Sequence, residues 1–510
     1  MNAELARHRL LITIAVMSAT VMQVLDTTIV NVALPQMQGQ LGATPDQISW
    51  VLTSYMVASG IFMPLTGYFT DRLGQKRYLL LSIAGFTIAS AMCGLSTNLV
   101  ELVMFRLLQG VFGAALVPLS QSIMVRTYPP EERGRAMAIW GVGVMVGPIL
   151  GPTLGGYLTE VLSWRWTFFI NLPVGLLSLF MAWRVVPDSE RRERSMDWFG
   201  LTLLALAIGA LQWVLDRGSQ EDWFNSPQIQ LAALISIIGF VGFGLHSRSH
   251  SEHVLFHSDI FRDRNFVTSS LLLAVFGLGL FGNMMLQPLM LEHLLDYPTI
   301  TTGLTLAPRG VASMISMMIV GRLIGRIDPR WLIATGIVIC TFGSWFATRY
   351  SLDISMGWVI WPPVVQGFGL GMVFVPLSTV AFSTLAPSHA AEAAGLFSLL
   401  RTIGSSIGIS IVATTLTRQS QVLWNQLGGH ITSFSANVHA YLAHAGIAVD
   451  SPTAGLMLSR ELARQTTITA FVDAYILIMW SFVAMLPLVF VMKYRPHRAT
   501  ASNTPAPAVE

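Results

Sequence analysis

The sequence predicts an all-α polytopic membrane protein of fourteen spanning helices, and three observations predict it. Charged residues make up only 11% of the 510 residues, against about 25% in an ordinary soluble domain. Hydrophobic residues make up 53%, and the mean hydropathy is +0.60. Apolar runs long enough to cross a bilayer, about 20 residues each, recur along the whole chain. A soluble enzyme of this length needs more polar surface than these residues supply, and a disordered chain is excluded by the apolar content.

Taken in order, six spans fall near 11–34, 48–70, 78–97, 99–120, 136–158 and 165–186. Two more fall near 199–216 and 229–246. The last six fall near 267–291, 302–324, 331–349, 357–380, 391–416 and 470–492. The first run follows Arg7 and Arg9, is too long for the apolar part of a cleaved signal and shows no cleavage site, so it reads as a retained span.

Charge placement tests the layout. With both termini inside, the external side receives only Arg165, Arg217, Arg349, Arg418, Arg460 and Arg464. Arg106, Arg309 and Arg401 fall inside spans, and every other Lys and Arg of the 30 lies on the cytoplasmic side. The net charge of +3 therefore reports membrane orientation and gives no sign of a nucleic-acid partner. Cys93 and Cys340 lie in apolar segments and read as packing residues. No metal-ligand spacing, cofactor motif or phosphate-binding Gly-x-x-x-x-Gly-Lys-Ser/Thr loop occurs. None of the 11 histidines sits centrally in a span, so no nucleophile–base or metal constellation for an embedded enzyme or sensor is available at depth.

An internal repeat organises the chain. Gln109-Gly in span four recurs as Gln366-Gly in span twelve, an offset of 257. Val117–Ser120 recurs as Val375–Ser378, and Pro129 maps onto Pro387. A weaker echo links Gly67–Arg77 with Gly321–Arg330. The expected division is a six-helix bundle at 1–187, an inserted hairpin of spans seven and eight with its flanking loops at 188–258, and a second six-helix bundle at 259–498. The second bundle includes an external loop at 418–469, and a disordered tail follows at 499–510. Parallel repeats of this kind place a substrate path between the halves near the bilayer midplane.

Four motifs stand on this frame. After span two, Gly67, Asp71, Arg72, Gly74, Lys76 and Arg77 resemble the loop pattern Gly-x-x-x-Asp-Arg-x-Gly-Arg-Lys of the major facilitator superfamily, with Gln75 where Arg is usual. Span four carries Arg106, Gln109 and Gly110. A charge there costs about 2.5–3.5 kcal/mol on insertion scales, so it should face a cavity or a partner. The run GVGVMVGPILGPTLGG in span five sets Gly143, Gly147, Gly151 and Gly155 at intervals of four beside Pro148 and Pro152. Small residues at that spacing let a second helix approach, and each proline permits bending. Span one contains Leu25-Asp26-Thr27-Thr28-Ile29-Val30-Asn31-Val32-Ala33-Leu34-Pro35.

Together these stretches, with LDRGSQEDWFNSPQI at 215–229, resemble the fourteen-span drug/proton antiporters of that superfamily, the EmrB/QacA group. The resemblance covers essentially the whole chain. It implies the major facilitator fold, with fourteen transmembrane helices as two six-helix bundles plus an inserted hairpin. It also implies proton-coupled export of lipophilic compounds from a bacterial inner membrane. The span-five run resembles the motif that marks exporters in the superfamily. In the group's EmrB-like members a periplasmic membrane-fusion adaptor and an outer-membrane channel take part, which makes the loop at 418–469 a candidate docking surface. Its stretch LMLSRELARQTTITAF has helical periodicity.

Depth arithmetic joins two charges. Asp26 lies nine residues before Pro35 and Arg106 eight residues after Asn98, which puts them about 13 and about 12 Å from the outer end. The two are expected to share one level on a water-accessible crevice. Burial favours the neutral acid and a neighbouring cation favours the carboxylate, so Asp26 can carry a proton; alternatively it braces span one together with Asn31. Asn31, Gln109, Gln287, Arg309, Gln366 and Arg401 are the expected cavity residues. Either Arg309 or Arg401 can meet an anionic substrate group or pair with Glu292. Arg without a carboxylate at depth in spans ten and thirteen departs from the dication exporters of the group and favours neutral or weakly acidic cargo. A native amphiphile such as a fatty acid or siderophore is the other reading. Spans seven and eight carry no charge at depth and read as peripheral packing. Nothing in the sequence sets the oligomeric state.

Overall fold

The computed structural model describes residues 3–129, 131–189, 191, 195–249, 256–386, 389–432, 434–444 and 446–493; the tail at 499–510 lies outside them. Fourteen helices are long and apolar enough to cross a membrane. They are α1 (His8–Leu41), α2 (Gln47–Leu73), α3 (Gln75–Leu95), α4 (Leu99–Thr127), α5 (Arg133–Val161), α6 (Trp166–Val185), α7 (Trp198–Arg217), α8 (Pro227–Arg248), α9 (Arg264–His293), α10 (Ile300–Leu323), α11 (Pro329–Ala347), α12 (Met356–Ala381), α13 (Ala390–Gly428) and α14 (Pro452–Val489). Each contains one of the fourteen expected spans over most of its length. No strand occurs among the described residues.

The loops start the helices by capping. Thr44 and Gln47 form a capping box ahead of α2, the Asn98 side chain accepts from the Glu101 N–H at the start of α4, and Asp197, Asp263 and Asp328 do the same for α7, α9 and α11. Two spans are interrupted where proline removes a backbone donor. A single 3-10 turn, Met63–Leu65, surrounds Pro64 in α2. The α4 helix breaks at Ala114–Ala115, four residues before Pro118.

Packing repeats between the two halves. In the first, α1 packs on α5 and α6, α4 on α2 and α3, and α3 on α6. In the second, α9 packs on α13 and α14, α12 on α10 and α11, and α11 on α14. Adding eight to each helix number converts one set into the other, as the sequence repeat requires.

The glycine run of α5 serves two faces. A methyl placed on Gly147 would lie 2.8 Å from the Val24 carbonyl carbon, and one on Gly151 2.1 Å from Thr28 Oγ1, so α1 runs close against this face. Gly143 and Gly155 meet Met17 and Ile29 in the same contact, and Thr28 Oγ1 donates to the Gly147 carbonyl at 3.0 Å. The helix stays continuous through Pro148 and Pro152. Its other face crosses the seam between the halves, with Gly134 on Ile324, Gly141 on Met317, Ile149 on Gly310 and Thr153 on Gly303. Those four contacts run the length of α5 and α10.

The opposite side of the seam closes differently. There α13 meets α2 near the end where the chain termini emerge, through Gly67 on Glu392 and Gly395 on Met63. Toward the other end α7 fills the space between them. Asp216 accepts from Thr53 Oγ1 of α2 at 2.6 Å, Trp213 packs on Trp50, and the Leu215 carbonyl accepts from Ser410 Oγ of α13 at 2.7 Å. This corrects the expectation of a merely peripheral hairpin: its first helix is wedged into the seam. A buried charge also sits at its base, where Asp197, 8% exposed, pairs with His246 at 2.9 Å.

The segment at 418–469 is mostly helix, and the stretch LMLSRELARQTTITAF, whose periodicity predicts a helix, lies within α14. The α13 helix runs on to Gly428, α14 begins at Pro452, and a short helix Ala436–His444 lies between them. Val438, Leu442 and Ala454 form a small apolar core of their own. A 39-residue helix is about 58 Å long against a hydrocarbon core of about 30 Å. The two helices therefore project as a stem from one end of the bundle.

Candidate functional site

The core of the first half contains a polar cluster walled by apolar helices. Asp26 of α1 and Arg106 of α4 are 0% and 1% exposed, and Arg106 Nη1 donates to Asp26 Oδ2 at 2.7 Å. The other carboxylate oxygen accepts from Gln109 Nε2 at 2.9 Å and from Asn171 Nδ2 of α6 at 2.8 Å. Arg106 also donates through Nε to the Val51 carbonyl at 3.0 Å and through Nη1 to Gln109 Oε1 at 2.8 Å. The Tyr55 ring covers the guanidinium at 4.3 Å, and Gln23 Nε2 donates to the Tyr55 hydroxyl at 2.9 Å. Asn171 is held in turn by Ser90 Oγ at 3.0 Å.

A buried ion pair persists only where its remaining donors and acceptors are met, and this one meets that requirement from α1, α2, α4 and α6. The expected pairing of Asp26 with Arg106 is present. The expected open crevice is not: the pair is enclosed within the first half in this conformation. Gln109, expected in the substrate cavity, is 0% exposed and belongs to the ion-pair network. Asn31 lies apart from it, exposed, donating to the Thr27 carbonyl of its own helix. It sits five residues from Asp26, about 140° around the helix. Asn171 and Tyr55 lie outside the four sequence motifs. A polar side chain inside an apolar run was the signal that could have drawn attention to Asn171.

A second cluster occupies the corresponding place in the second half. The offset of 257 that carries Gln109 to Gln366 also carries Asp26 to Asn283, and Asn283 Nδ2 donates to Gln366 Oε1. Gln366 also donates to Ser344 at 2.9 Å. The acid–amide contact of the first half thus recurs here between two amides. Its guanidinium comes from another helix: Arg309 of α10 donates to Gln287 at 3.4 Å and lies near Cys340, Tyr350 and Tyr475. Among the described residues the buried Tyr475 hydroxyl has no hydrogen-bond partner. Among the described residues no carboxylate pairs with Arg309 or Arg401, and neither reaches Glu292. Arg401 is half-buried on α13, its carbonyl accepting from Ser405 Oγ.

The loop motif lies at the end where the termini emerge. Gly67 is the close contact with Glu392 already described. Arg72 donates to the Tyr68 hydroxyl. Gly74 has φ +84° at the α2–α3 turn, a conformation that favours glycine. Asp71 is half-buried on the last turn of α2, and Lys76 and Arg77 open α3.

Two six-helix halves related by a parallel repeat, with a buried acid–guanidinium pair in one of them, are the architecture of a secondary transporter. The Major Facilitator Superfamily model matches residues 16–409, and the chain belongs to that family. It is 35% identical to the fatty acid resistance protein FarB of Neisseria gonorrhoeae over 490 residues, 94% of this chain and 96% of that one. It is 34% identical to the multidrug export protein EmrB of Escherichia coli (strain K12), covering 95% of each. Among solved structures, the human organic anion transporter MFSD10 superposes with a TM-score of 0.60 over 93% of this chain and 99% of that one. The proton:xylose symporter XylE gives 0.59 over 96% and 100%. At 14% and 13% identity these last two speak to the fold alone.

Proposed function

We propose that this protein is a proton-driven exporter that moves lipophilic, neutral or weakly acidic compounds out of a bacterial cytoplasm. The observation that carries it is the division of charge between the halves: an acid locked to a guanidinium in the first, guanidinium groups without an acid in the second. Asp26 with Arg106 is the proton-coupling pair, held by Gln109, Asn171 and Tyr55. Arg309 with Gln287, and Arg401, face the cargo. The relatives named for multidrug export and for fatty acid resistance support both parts of the reading.

The positive-inside bias puts both termini in the cytoplasm, so the seam closed at the Gly67 end is closed to the cytoplasm. Protonation of Asp26 removes the charge that balances Arg106 and so frees the guanidinium to seek other partners. That change favours a different arrangement of α1 against α4, which the seam contacts of α5 and α2 transmit as rocking of the halves. The helical stem of α13 and α14 would stand in the periplasm. Phe434, in the connection beyond α13, and Leu456 of α14, 94% and 72% accessible, are suited to docking a membrane-fusion adaptor.

In inside-out vesicles held at a proton gradient, adding a lipophilic substrate should release protons in proportion to substrate uptake. Uptake with no proton movement would overturn the coupling. A second reading, a native anionic amphiphile as principal cargo, is favoured by Arg309 specifically. Arg309→Ala should lower kcat/KM for a fatty acid by about tenfold, the loss of one hydrogen-bonded charge contact, while a neutral lipophile stays within about twofold. Equal losses for both would remove Arg309 from cargo recognition.

A further inference from the structure

A cluster at the closed end of the seam has no part in the transport scheme. His389 and Glu392 stand three residues apart at the start of α13, and therefore on one helix face. His257, just ahead of α9, reaches them from another part of the chain. Their ligand atoms all lie within 4.8 Å of one another. His257 Nδ1 is 2.7 Å from Glu392 Oε2, and the two imidazole rings are 4.6 Å apart by centroid.

We propose that His257, His389 and Glu392 form a binding site for a divalent transition-metal ion of the Zn2+ class. Two imidazoles and one carboxylate are a known zinc-competent donor set, and three protein ligands leave a coordination position for water. Imidazole selects Zn2+ and its neighbours over Mg2+ and Ca2+, which prefer oxygen donors. The second oxygen of Glu392 accepts from the His257 backbone N–H, an orienting contact of the kind that supports metal ligands. The glutamate side chain is 4% exposed and that of His257 47%, so the site has a buried anionic floor and a solvent-facing wall through which an ion can enter.

The site lies on the moving seam. A methyl on Gly67 would come within 2.7 Å of Glu392 Cβ, so the helix turn that carries this carboxylate is packed against the first half where the seam is closed. An ion that needs Glu392 in that orientation binds the closed seam better than the open one, and by linkage holds it closed. The ion is thus an inhibitor of turnover acting from the end where the termini emerge.

The test uses the full-length, tag-free protein in nanodiscs, with Zn2+ titrated by calorimetry and Co2+ as a spectroscopic probe of coordination. One Zn2+ per chain is expected. His257→Ala, His389→Ala and Glu392→Gln should each weaken it at least about tenfold, and His430→Ala, on the exposed stem, should not. Absence of stoichiometric binding by the unsubstituted protein, or binding that survives all three substitutions, overturns the site. In vesicles, Zn2+ on the cytoplasmic side should slow transport by the unsubstituted protein and spare His389→Ala; equal slowing of both overturns the inhibitory role. The calorimetry needs no transport, so a failure of the exporter reading would show separately.

Discussion

Asp26→Asn should abolish substrate-driven proton release while leaving the substrate site occupied. The amide is nearly isosteric with the carboxylate, so contacts from Gln109 and Asn171, now at 2.9 and 2.8 Å, can be kept in part. What the amide cannot do is gain and lose a proton. In inside-out vesicles, release should fall to the level of vesicles lacking the protein. Exchange of labelled for unlabelled substrate, which needs no net proton movement, should persist. Unchanged coupling would take Asp26 out of the mechanism. Loss of both exchange and release would point to collapse of the cluster, which thermal unfolding of the purified variant distinguishes.

The helix census was legible because a bilayer imposes its own length on every apolar run. Helix ends were less legible. The α13 and α14 helices continue past the membrane because nothing in their polar continuations breaks the backbone, and hydropathy stops counting there. The level shared by Asp26 and Arg106 came from rise per residue alone. Their enclosure did not, because depth along a helix says nothing of which neighbours cover it. Asn171 and Tyr55 reach the pair from α6 and α2, and only tertiary packing brings those faces in. The repeat is legible further than its motifs: the offset that joins Gln109 to Gln366 also joins Asp26 to Asn283. The histidine–glutamate cluster was beyond reach, since His257 and Glu392 are 135 residues apart and meet only through the packing of α9 on α13.

Replacing Arg106 tests the same pair from its other side, with an order of effects that geometry sets. The guanidinium holds three partners at once, Asp26, Gln109 and the Val51 carbonyl, under the Tyr55 ring. Removing one partner of a buried ion pair costs about 3–5 kcal/mol, because the other charge is left unbalanced. Arg106→Ala should therefore be markedly less stable, and with no cation to take up and release the carboxylate, proton release should be lost. Arg106→Lys keeps a cation near Asp26 but loses the planar fork that serves the carbonyl and the ring, so it should retain part of both stability and release. Release and unfolding temperature should both rank unsubstituted protein, Lys, then Ala. Combining Arg106→Gln with Asp26→Asn removes both charges. If the two act as one unit, the double variant should be no less stable than either single one. A double variant destabilised by the full sum of the singles would mean that the residues act independently, and the two would then not be the unit on which the coupling scheme rests.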